Sequence, residues 1–137
     1  MNDLFQNLFY DKRISELYTA EKSIQYLLDF EAHLAKSQAE LQFIPSQFSE
    51  IIAHCCKVEK IDISQITSQV GLGGNIAIPL VKQLTSVVKA ESEDASKFVH
   101  FGATSQDVID TAMMLQCKDA IHLMLPLLTQ SIEQLKV

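Results

Sequence analysis

Apolar positions recur along this chain in steps of three, four and seven, the spacing of one helix face, and helices are predicted throughout. The clearest run is Ala20 to Phe43. Ile24, Leu27, Leu28, Leu34, Ala35 and Ala39 share a face, while Lys22, Asp29, Lys36 and Glu40 lie largely elsewhere. Thr19 is placed to cap this helix, Glu21 sits in its first turn, and Pro45 stops it. Ser46 then caps a second helix to about Val58, with Phe48, Ile51, Ile52 and Cys55 inward. A shorter helix is predicted from Asp62 to Val70 and ended by Gly71, followed by a loop from Gly71 to Asn75.

The next helix spans about Ile78 to Ala90, with Pro79 tolerated in its first turn and Leu80, Leu84, Val87 and Val88 on its apolar face. Glu91 to Lys97 reads as a polar turn or short helix, and Phe98 to Ala103 as an irregular apolar approach. Thr104 or Ser105 caps the last helix, with Asp107 in its first turn. That helix is apolar nearly all round, through Val108, Ala112, Leu115, Ile121, Leu125, Leu128 and Leu135. Such a helix requires neighbours on every side, more than a 137-residue domain supplies. Pro126 is expected to kink or interrupt it. No Gly or Asn closes it, so the chain is expected to stop within an element.

Composition removes several function classes. With 47% hydrophobic and 20% charged residues the chain reads as globular. Its net charge is -6 and its 11 basic residues form no run, which disfavours a nucleic-acid surface. The N-terminus lacks the features of a signal peptide, and no apolar stretch is long enough to span a membrane. Cys55, Cys56 and Cys117 show no CxxC spacing, and reduced thiols in a cytoplasmic protein are expected, with Cys117 in the core.

The segment His100 to Asp107 carries the most chemistry. A helix N-terminus presents free N–H groups, and Thr104, Ser105 and Gln106 add side-chain donors suited to a carboxylate. Gly102 allows close backbone approach, and His100 can move a proton at the same ligand. The same residues also make sense as a plain helix cap beside a satisfied loop histidine. Asn75, in the glycine-rich connector, can reach a ligand or serve only as a hinge. His33, near Glu31 and Lys36, belongs to a solvated face, and His122 to an interface or the core. Glu91, Glu93 and Asp94 form an acidic turn with no histidine beside them, and no metal site is assigned.

The string H-F-G-A-T-S-Q-D-V-I-D-T-A, His100 to Ala112, resembles the first signature region of the fumarase/aspartase superfamily. Together with G-N-I-A-I-P-L-V-K (Gly74 to Lys82) and the helix from Tyr26 to Pro45, it is most similar to the bacterial branch of 3-carboxy-cis,cis-muconate cycloisomerases. The resemblance implies an all-α fold, with an N-terminal helical domain over residues 1–103 and the start of a long-helix central bundle over 104–137. It implies a homotetramer, a small polycarboxylate substrate, and no cofactor, metal, nucleic acid or membrane. His100 would be the catalytic histidine, and Thr104, Ser105 and Gln106 the substrate-carboxylate cradle. Asn75 would bind substrate where relatives carry a histidine, and Tyr10 and Arg13 lie near a loosely matched anion site. The family's second histidine and its serine loop would lie beyond Val137, so the chain alone would be inactive. Two other readings stand beside this one. One is an adenylosuccinate or argininosuccinate lyase of the same superfamily, disfavoured for adenylosuccinate by Gly74-Asn75. The other is a non-catalytic helical interaction module.

Overall fold

The structure, a computed structural model, describes residues 10–136. Its described elements are helices, as the periodicity predicts: α1 (Lys12–Glu16), α2 (Ala20–Glu40), α3 (Ser46–Cys55), α4 (Ile63–Gly73), α5 (Ala77–Glu91), α6 (Glu93–Ser96) and α7 (Ser105–Leu135), with a 3-10 turn at Val58–Lys60. The central helix is α2, with α3 and α7 packed against it and α5 behind α3 and α4. Ile24, Leu27, Leu28, Ile52, Ile66, Leu80, Leu84, Val88 and Val108 form the buried centre.

Three helix ends differ from the sequence reading, each for a local reason. Helix α2 stops at Glu40, before Phe43. Gln42 adopts φ 61°, its N–H donates to the Ala39 carbonyl, and the Phe43 N–H donates to Gln38 O at 2.8 Å. That is a Schellman turn with glutamine where glycine is usual. Helix α3 ends at Cys55 because a side chain of α2 claims the backbone beyond it. Gln25 accepts from the Val58 N–H at 2.9 Å and donates to Cys56 O at 3.2 Å. Pro45 occupies its cap position, and Ser46 is its first residue. Helix α4 runs through Gly71 and Gly73, and the chain turns at Gly74, φ 74°. The connector to α5 is therefore only Gly74–Ile76.

Pro126 lies inside α7 without interrupting it. Removing one N–H donor from a 31-residue helix leaves the remaining ladder to continue. The first half of α7 is tied to α2. Tyr26 donates to Asp119 Oδ2 at 2.5 Å, and Gln116 donates to Leu17 O at 3.0 Å and Ser23 Oγ at 3.1 Å. Val108, Ala112 and Ala120 are its buried residues. Beyond them, Ile121, Met124, Leu125, Leu128, Ile132 and Leu135 stand exposed. His122 shares that exposure and is no core histidine, Cys117 is half-buried, and His33 is solvated as predicted. No helix among the described residues is long and apolar enough to cross a membrane.

Candidate functional site

Thr104 caps α7 and does so reciprocally. Its hydroxyl accepts from the Asp107 N–H, while the Asp107 carboxylate accepts from the Thr104 N–H at 2.8 Å and from its hydroxyl at 3.1 Å. This capping box fixes where the helix starts, and it commits the Thr104 side chain. Gln106 is committed too, donating to Asp110 Oδ1 at 2.6 Å. No hydrogen bond among the described residues uses the Ser105 hydroxyl. With the first-turn N–H groups of Ser105 and Gln106, it is what the helix start offers an anion. Asp107 and Asp110 place negative charge in the same turns, so a carboxylate held here needs cations from other segments.

His100 lies in the loop before the cap at φ 57°, a left-handed conformation costing a non-glycine residue about 1–2 kcal/mol. Its ring turns inward, with Nδ1 2.6 Å from Glu31 Oε1 on α2. A charge-assisted bond of this kind contributes about 1.5–3 kcal/mol, enough to hold the strained loop. Two turns further along α2, Gln38 donates to Phe101 O at 2.6 Å. Phe101 also sits edge-on to Phe98, whose ring stacks on Phe48 of α3. Gly102, at φ 71°, completes the turn. An added methyl would meet only Gln38 Nε2, at 3.9 Å, so the glycine serves its backbone angle rather than close approach.

Glu31 is the functional residue that the sequence reading passes over. Its side chain is 1% exposed, in the core rather than on a solvated face. Burial raises its pKa above the ordinary carboxylate value, and His100 opposes that shift. The signal was present: Ile24, Leu28, Glu31, Ala35 and Gln38 form one stripe at helical spacing, so both polar residues sit on an apolar face.

Asn75 lies elsewhere, at the α4–α5 turn. Its side-chain oxygen accepts from the Ile78 N–H at 3.1 Å, capping α5. No hydrogen bond among the described residues joins it to His100–Gln106. Arg13 is held by Asp11, Nη2 to Oδ2 at 2.9 Å, and Tyr10 is half exposed. Among the described residues, no group of three or more His, Cys, Asp or Glu side chains could hold a metal.

Comparison with known proteins places this arrangement. A family described as Lyase matches residues 3–137. A 3-carboxy-cis,cis-muconate cycloisomerase of Acinetobacter baylyi is 43% identical over 123 residues, covering 88% of this chain and 27% of the relative. The solved 3-carboxy-cis,cis-muconate lactonizing enzyme of Pseudomonas putida superposes with a TM-score of 0.85 at 36% identity, over 90% of this chain and 28% of that one. The cycloisomerase structure from Acinetobacter calcoaceticus gives a TM-score of 0.81 at 43% identity, over 85% and 28%. The chain thus spans little more than a quarter of the length of these relatives. It belongs to the lyase family of the fumarase/aspartase superfamily.

Proposed function

We propose that this chain is the N-terminal part of a 3-carboxy-cis,cis-muconate cycloisomerase. The whole enzyme would interconvert an unsaturated tricarboxylate and its lactone in aromatic catabolism. A substrate carboxylate adds across a double bond, and charge builds on a neighbouring carboxylate as an enolate-like intermediate. Donors fixed before the reaction suit that charge, and Ser105 with the adjoining N–H groups at the start of α7 supplies them. Thr104 shapes this cradle through its capping box, Gln106 adjoins it, and Asn75 is a further substrate contact from its separate place at the α4–α5 turn. His100 delivers the proton that the enolate-like carbon takes up after the ring has closed, and removes it in the reverse direction. The observation that carries this reading is the likeness to the Acinetobacter enzyme, 43% identical over 88% of this chain.

The remaining parts of the reading follow from that likeness. Residues 1–103 form an N-terminal helical domain and 104–137 open a central bundle. The exposed apolar side of α7 packs there against helices of the same enzyme, in a cytoplasmic homotetramer. The chain alone lacks the rest of the site and is inactive. The test uses the whole protein. We expect His100→Ala to lower kcat/KM by about 10²–10⁴-fold. Ser105→Ala should lower it by about 10²-fold. Lactone formation is followed optically, and undiminished activity in both variants contradicts the assignment. A panel including adenylosuccinate and argininosuccinate separates cycloisomerase from lyase activity.

A further inference from the structure

Glu31 is costly where it sits. A carboxylate with 1% of its side chain exposed loses its hydration, and such pairs seldom repay that loss in stability. Its Oε1 meets His100, and its Oε2 is buried with no hydrogen-bond partner. An apolar residue would fill this position of the α2 stripe at lower cost, so the carboxylate points to a task at His100.

We propose that Glu31 is the positioning residue of His100, holding the ring through its Nδ1–H and leaving Nε2 as the nitrogen that exchanges protons with substrate. The inference rests on the proton-transfer role given to His100 above. The chemistry is restrictive. An ionised carboxylate only accepts, so a bare Nδ1 cannot sit 2.6 Å from it. Whenever Glu31 is ionised, Nδ1 carries the ring proton and Nε2 carries the lone pair. The next proton then enters at Nε2, and the imidazolium it makes is balanced by the carboxylate. Glu31 also fixes orientation, since its bond offsets the left-handed backbone of His100, and Gln38 pins the following carbonyl. The Cys56 thiol, also buried near Glu31, is itself pushed up by burial and by Glu31. It stays neutral and does not compete for the ring.

Nitrogen-15 spectroscopy of the whole protein labelled at histidine reads the tautomer directly, with His100→Gln assigning the signals. Neutral His100 should show a protonated Nδ1 and a bare Nε2, the reverse of the tautomer favoured by free histidine. A proton on Nε2 in the neutral ring overturns the inference. In the whole enzyme, Glu31→Leu, which removes the acceptor for Nδ1, should lower kcat at least about tenfold while KM stays within about threefold. Undiminished kcat in that variant also overturns it. The wild-type tautomer decides the matter even if the variant fails to fold. It is read without substrate, so it stands or falls separately from the proposed activity.

Discussion

At the scale of single residues, the energetics centre on Glu31. Its folded-state pKa is raised, chiefly by burial. A raised value means the folded state favours the protonated form. That contribution is fully present below the ordinary value of 4.5 and is lost as pH rises through the elevated one. Glu31→Gln keeps an acceptor for Nδ1 and removes the titration. Urea melts of the two proteins from pH 4 upward should therefore show the variant gaining on wild type as pH increases. A constant difference, or one that reverses, contradicts the burial argument. His100 and Glu31 also mark the limit of reading by residue type. The sequence singles out His100 through its position before a cap, but Glu31 is 69 residues away, and nothing local connects them. Only the docking of α2 against the loop does.

At the scale of elements, helix starts were more legible than helix ends. Thr19, Asp62 and Thr104 each accept a backbone N–H, as capping chemistry requires. Ends were set by partners that spacing does not reveal. The α3 terminus depends on the amide of Gln25, and the α2 terminus on a turn that glutamine occupies against its preference. This second case makes a clean prediction. Gln42→Gly relieves the left-handed strain while keeping the backbone bonds of the turn, so stability should rise by about 1 kcal/mol. A loss of stability in chemical denaturation would show that the Gln42 side chain matters more than its φ angle. Likewise Gly74, not Gly71, is the stop of α4, because the positive φ falls there. Pro126 is placed to kink or interrupt α7, and the helix runs on through it to Leu135.

For the whole molecule, the all-round apolar character of α7 was the most informative pattern in the sequence. Its first half satisfies it internally, through Val108, Ala112 and Ala120. Its second half leaves Ile121, Leu125, Leu128 and Ile132 more than half exposed. The proposed central bundle covers that side with helices of the same enzyme. In the whole protein, Leu128→Asp combined with Ile132→Asp should reduce the assembled state to smaller species in sedimentation velocity. An unchanged assembly would mean that this face packs elsewhere.

The most direct measurement is the reaction itself. Whole protein carrying this chain is supplied with 3-carboxy-cis,cis-muconate, and loss of the conjugated diene is followed alongside lactone formation. Enzymatic lactonisation is expected, falling by about two orders of magnitude or more when His100 becomes alanine. Diene left unconsumed by folded, assembled protein would contradict it.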